Sequence, residues 1–196
     1  MSTAEAAPPI ALPIRITAND LLAMPNGKDF ELVDGQLVEL NMGFDSSFVG
    51  GVVFGLLFHH VNAHGLGWVL PIDAGYQCFP RDPNKVRKPD VSFIRAARMR
   101  AANRPKGYCR ISPDLAVEVI SPNDLAVELS KKIEEYLEAG VPLIWVLDPE
   151  SQRVFIYRST GGDTILSRQD ELTGEEVIPG FRCQVSVLFA DPPGVA

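Results

Sequence analysis

From Leu115 to Ile120 the chain is strongly apolar, interrupted by Glu118 alone, and beyond it the pattern changes to a helical period. The first pattern predicts a strand. Over Asn123 to Ala139 the apolar residues recur at three- and four-residue spacing, and Gly140 follows as a C-terminal cap, which predicts an amphipathic helix. Leu143 to Leu147 is a short apolar run stopped by Asp148-Pro149 and predicts a buried strand. A strand, a helix and a second strand in close succession imply a parallel pair joined by a crossover helix.

The rest of the chain predicts antiparallel surroundings for that pair. Thr17 to Met24 reads as a short helix, with Thr17 and Asp20 spaced as a capping box and Pro25-Asn26-Gly27 ending it. Phe30 to Leu40 reads as a hairpin turned by Asp34-Gly35. Ser46 to His64 is long, apolar and free of turn residues, so it predicts a helix in spite of Gly50, Gly51 and Gly55. Gly67–Ile72, Gly75–Phe79 and Pro89–Ile94 predict strands, and Ala96 to Arg110 an irregular stretch. Val154–Tyr157 and Asp163–Leu166 predict outer strands, and the tail a loop with a final turn near Val185 to Phe189. The sum is one mixed α/β domain over residues 14–196, preceded by a flexible Ala/Pro-rich segment over 1–13 with no signal-peptide pattern.

Composition narrows the function classes. No run of 18 or more apolar residues occurs, so no membrane span is expected. Three scattered cysteines form neither a zinc pattern nor a disulfide framework, which points to a reducing cytoplasm and to cysteines serving as small core residues. The net charge of −7 argues against a nucleic-acid partner until its distribution is considered. Arg81 to Arg110 holds ten basic residues and two acidic ones, a net of +8, which leaves −15 for the remainder. Such a block is either a solvated loop or a focused cationic surface.

Candidate chemistry lies where charge interrupts apolar pattern. Glu118 shares a strand face with Ala116 and Ile120, and a carboxylate there must be paired, hydrogen-bonded, metal-bound or at a wet strand end. Asp114 is on the same face, but about 13 Å away at strand rise, too far to share an ion. Asp90, in Lys88-Pro89-Asp90-Val91, is the best second carboxylate, against the alternative of a plain strand-start aspartate after proline. At 100° per residue Lys132 falls on the apolar stripe with Leu125, Leu129, Ile133 and Tyr136, whereas Lys131 faces outward. Lys132 either meets an anion beneath the helix or snorkels to water. Other constellations are weaker. His60 and His64 lack a third ligand, Gly50-Gly51 lacks a phosphate-loop context, and no Gly-x-Ser-x-Gly element occurs. Trp68 and Trp145 read as core or interface residues.

Pro89-Asp90-Val91, Pro113-Asp114 through Ser121-Pro122, Lys132 through Val141, Trp145 through Pro149 and the hairpin Glu31-Leu32-Val33-Asp34-Gly35 together resemble the Uma-two family, restriction-endonuclease-like proteins of the PD-(D/E)XK nuclease superfamily, over roughly Thr17 to Phe189. The resemblance implies a restriction-endonuclease-like mixed sheet flanked by helices, with Mg²⁺ (or Mn²⁺) held by Asp90, Glu118 and the Val119 carbonyl. It implies Lys132 as the catalytic lysine, carried on the helix because Ile120 occupies the superfamily's lysine position. It also implies a further acidic role for Glu31, which the pattern alone reads equally as an exposed hairpin residue. The expected activity is metal-dependent endonucleolytic hydrolysis of DNA, with Lys85, Arg87, Lys88, Arg95 and Arg98 against phosphates. The alternatives are a nuclease-fold module that binds DNA or assembles without turnover, and a carboxylate-pair hydrolase with a closed small-molecule pocket. A homodimer would suit cleavage of both strands of a duplex.

Overall fold

The computed structural model describes residues 15–40, 43–122 and 125–195; the lead-in expected over 1–13 and the helix start expected at Asn123 lie outside them. Its centre is a six-stranded sheet in the order β3-β4-β5-β6-β7-β8. The strands are β3 (Gly67–Pro71), β4 (Val91–Arg95), β5 (Leu115–Val119), β6 (Leu143–Asp148), β7 (Arg153–Arg158) and β8 (Thr164–Leu166). Every neighbouring pair is antiparallel except β5 and β6, which run parallel with Glu118 opposite Val146. Helix α3 (Ala126–Glu138) makes the crossover, and Gly140 at φ 80° closes it. This is the mixed α/β architecture that the strand–helix–strand pattern predicts.

Alternation divides the sheet between two cores. Leu115, Val117 and Val119 point to one face, where α2 (Phe44–His64) lays Val49, Val53, Leu57 and Val61 against them. By length and mean hydropathy α2 is also the one helix among the described residues that would pass as a membrane span, a pattern that a core-packed helix shares. Ala116 and Glu118 point to the other face, over which α3 packs Ile133 and Tyr136.

The N-terminal part stands apart from the sheet. Thr17 and Asp20 form the expected capping box on α1 (Ala18–Ala23). The hairpin β1 (Phe30–Val33) and β2 (Gln36–Glu39) is a separate two-stranded sheet, joined to the loop before β4 through a bridge between Leu32 and Val86.

Three expectations change. The strand predicted over Gly75–Phe79 does not form. Tyr76 is bridged to Arg87 and to Cys109 on separate segments, and Pro80 and Pro83 deny the flanking backbone donors that a ladder needs. The strand predicted from Pro89 begins at Val91, because proline has no N–H to give and Asp90 turns its side chain to another strand. The tail, read as loop, contains a small hairpin of β9 (Glu171–Thr173) and β10 (Arg182–Gln184) followed by α4 (Val185–Leu188). Three-residue strands are too short to display a period.

Candidate active site

Six of the predicted residues line one cleft of about 580 Å³: Glu31, Lys88, Asp90, Glu118, Val119 and Lys132. Its walls are the N-terminal hairpin and α3, and its floor is the ends of β4 and β5. Each residue arrives by a separate route. Strand alternation turns Glu118 toward α3. The antiparallel register of Val91 opposite Val117 brings Asp90 beside the end of β5, where its Oδ2 accepts the Val119 N–H at 2.6 Å. Helical periodicity aims Lys132 back at the sheet.

The ammonium of Lys132 lies between two carboxylates, 2.8 Å from Glu118 Oε2 and 3.0 Å from Glu31 Oε1. The other Glu118 oxygen accepts the Tyr136 hydroxyl at 2.8 Å. Glu118 on β5 is therefore held from α3 by Lys132 and Tyr136, one turn apart along the helix. Glu31 is not the exposed hairpin residue that its sequence position also allows. It is 3% exposed, accepting Arg87 Nη1 at 2.8 Å and the Lys88 N–H at 2.6 Å.

Behind Glu31 runs a second layer of buried charge. Arg87 reaches from Glu31 to Glu135, 2.7 Å from its Oε2, and Lys85 is ion-paired with the same Glu135. On the surface above, Lys131 pairs with Asp34 at 2.9 Å, tying the hairpin turn to α3.

Burial and charge set the protonation preferences. Burial pushes the Glu118 carboxyl up to about 8, opposed by Lys132 and reinforced by the nearby negative charges of Asp90 and Glu31. Burial also works against the Lys132 ammonium, but Glu118 and Glu31 outweigh it and raise its pKa, so it stays protonated. The two directions are compatible because one ammonium is shared between two carboxylates, and Glu118 receives only part of its compensation. Glu31 is lowered in spite of burial, because Lys132, Arg87 and the Lys88 N–H all favour its charged form.

The cations of the basic block separate in space. Lys85, Arg87 and Lys88 do not form a phosphate-facing row. All three are buried, the first two in the Glu31–Glu135 layer, while Lys88 donates to the backbone carbonyls of Gly27 and Lys28 at 2.9 and 2.8 Å. The hairpin covers them, which no local pattern in the chain reveals. Arg95 and Arg98 sit at the far end of β4, about five residues or 17 Å of strand from Asp90. Both pair with Asp114, and Arg95 also donates to the Glu176 carbonyl.

Two contributors escape a reading of the sequence. Tyr136 is legible as an apolar-stripe residue but not as a hydrogen-bond donor to Glu118. Glu135 is buried beside Lys132 on α3, three residues on and therefore within about 60° of it around the helix. That spacing was the available signal. His60 and His64 stack at 4.4 Å on α2, and His60 Nε2 contacts the Pro179 carbonyl, so they stand as helix-surface histidines away from the cleft.

The donor set suits a hard divalent cation. Asp90 and Glu118 offer oxygen ligands at the floor of an open cleft, and Glu118 is a buried carboxylate that the chain's own cations compensate incompletely. Among the described residues no three His, Cys, Asp or Glu side chains form a ready ligand cluster, so a third ligand would come from backbone or water.

A solved structure from Anabaena variabilis, described as a "putative nuclease belonging to DUF820", shares the fold with a TM-score of 0.77, covering 89% of this chain and 97% of its own at 19% identity. Among curated proteins none matches. The model of the Uma2 family, described as "Putative restriction endonuclease", matches residues 18–186, a span that takes in the hairpin, both strand-end acids and the helix-borne lysine. On that match the chain belongs to the Uma2 family.

Proposed function

We propose that this chain is a metal-dependent endonuclease that hydrolyses DNA phosphodiester bonds in the cleft between hairpin and α3. The observation that carries the reading is the convergence of Asp90, Glu118 and a doubly paired Lys132, from three separate elements, on that one cleft. Asp90, Glu118 and the Val119 carbonyl would hold Mg²⁺ or Mn²⁺. The ion would supply polarisation of a phosphoryl oxygen and acidification of water.

The chain's own groups divide the remaining tasks. Lys132 is an ammonium, so it acts as a donor and a positive charge rather than as the base. Two of its three N–H groups are taken by Glu118 and Glu31, which leaves one for the phosphate or the attacking water. Glu31 orients Lys132, and Arg87 orients Glu31. Tyr136 fixes the rotamer of Glu118 from behind.

The test is nicking of supercoiled plasmid with and without Mg²⁺. Cleavage that needs the ion and is lost in Asp90→Ala and Lys132→Met is the expected result. DNA binding without nicking by the wild-type chain would instead support the reading as a nuclease-fold binding or assembly module.

A further inference from the structure

The basic block keeps a second group of cations that the cleft does not use. Arg100, Arg104, Lys106 and Arg110 are exposed, and among the described residues none of them has a carboxylate partner. No Asp or Glu occurs anywhere from residue 91 to residue 113. This is the reverse of Lys85 and Arg87, whose charge is neutralised internally by Glu31 and Glu135, and of Lys88, which is buried against backbone carbonyls. In a chain of net charge −7, an unpaired cationic surface of this density attracts anions that the rest of the protein repels.

The same segment shapes two hollows, of about 440 and 330 Å³, on either side of Pro105–Cys109. The first is lined by Arg98, Lys106 and Arg110, and the second by Trp68, Tyr108 and Arg104. The Arg104 guanidinium lies over the Trp68 ring at 5.5 Å. The turn after β3 connects the second hollow to the cleft: Ile72 lines the cleft, and Asp73 and Ala74 line the hollow. Asp73 is the acidic side chain on that path. From Pro71 to Trp68 the distance along β3 is about 10 Å at strand rise.

We infer that this surface holds a single nucleic-acid strand, its phosphates on Arg100, Lys106 and Arg110 and its bases against Trp68 and Tyr108, leading into the cleft over the turn after β3. A paired helix would satisfy the cations but hides its base faces. Aromatic-walled hollows beside unpaired arginines suit unstacked bases. The inference rests on the nuclease reading for its substrate and adds where, and in what form, that substrate is held.

The test is an anisotropy titration of a labelled oligothymidylate strand with the full chain in EDTA, where cleavage plays no part, at a series of salt concentrations. The triple variant Arg100→Ser/Lys106→Ser/Arg110→Ser, confirmed by its melting temperature to be folded, should bind roughly tenfold more weakly at low salt, with a log–log salt slope shallower by about 2. Arg153→Ser, exposed on β7, should leave both unchanged. Binding should quench tryptophan fluorescence in the wild type and not in Trp68→Phe, since Trp145 is fully buried. Triple-variant binding within about twofold of wild type would overturn the inference. So would no binding by the wild type, tighter binding of a duplex of equal length, or displacement by thymidine monophosphate at matched phosphate concentration, which would mark a small phosphorylated ligand. A chain that binds through these residues and cuts nothing sinks the nuclease reading and leaves this one standing. One that cuts and binds equally well without the three cations does the reverse.

Discussion

Lys132→Met keeps the length of the side chain and removes its charge from between two buried carboxylates. The ammonium is 2.8 Å from Glu118 and 3.0 Å from Glu31. At an effective dielectric near 20, each contact with an ionised carboxylate carries about 6 kcal/mol of attraction, before the cost of desolvating the ammonium is set against it. The net cost of deleting one member of such a buried pair is about 3–5 kcal/mol, most of it from the charge left stranded. Here pH decides how much is stranded. Below about 8 Glu118 is already protonated in the wild type, so the variant strands only Glu31, which keeps Arg87 and the Lys88 N–H. The loss there belongs at the low end of the range. Above about 8 the wild-type Glu118 is ionised and its contribution levels off, whereas in the variant its pKa moves higher still. An acid with a raised native pKa stabilises the fold below its unfolded value and loses that stability as pH climbs to the native one. The gap between variant and wild type should therefore widen above pH 8, by about 1.4 kcal/mol per pH unit. Urea unfolding in EDTA at neutral and alkaline pH measures it, with Glu118→Gln and the double variant as partners. The Gln replacement should remove the widening. A gap below about 1 kcal/mol at alkaline pH, or one of constant size across the range, would refute the shared-ammonium account.

Three further outcomes follow from the same geometry. Arg87→Met removes the guanidinium that bridges Glu31 and Glu135 in the buried layer, leaving Glu31 to Lys132 and the Lys88 N–H and Glu135 to Lys85, and should cost about 3 kcal/mol by chemical denaturation, while the Lys88 ammonium, bound to carbonyls, cannot substitute for it. Lys131→Ala removes an exposed pair with Asp34 and should change stability by less than about 1 kcal/mol, an effect that vanishes in high salt. Gly67→Ala places a methyl group 2.1 Å from the Ile94 carbonyl oxygen at a φ of 156°, so β3 must part from β4 there; a loss of about 1–3 kcal/mol in thermal melts is expected.

The parts of the fold and site that were legible in the chain are those set by local period. Alternation around Glu118, the 100° stripe that turned Lys132 inward, and the strand–helix–strand succession are each readable within one element, and the parallel β5–β6 pair with α3 between them matches that reading. What was not legible depends on one element covering another. Lys85, Arg87 and Lys88 have the same local signature as Arg100, Lys106 and Arg110, yet the hairpin roofs the first three and no described element roofs the second. Glu31 is a hairpin residue whose burial is decided by α3 and the loop before β4. Asp90 and Glu118 were paired by elimination. The antiparallel register that brings Asp90 to the Val119 N–H is a non-local property that no spacing in the sequence encodes.

The hairpin is fastened in an unusual way for a piece of structure so near the proposed chemistry. Among the described residues its two strands belong to no larger sheet, and beyond the small apolar cluster around Leu32 and the Leu32–Val86 bridge it is docked by carboxylates, Glu31 with the charges it engages and Asp34 with Lys131. The six-stranded core is held by apolar packing that acid does not touch. Falling pH should thus unfasten the wall of the cleft, as Glu31 takes up its proton, before the body of the protein yields. The working range in acid would then be narrower than the range over which the molecule remains folded, and a melting curve alone would overstate it.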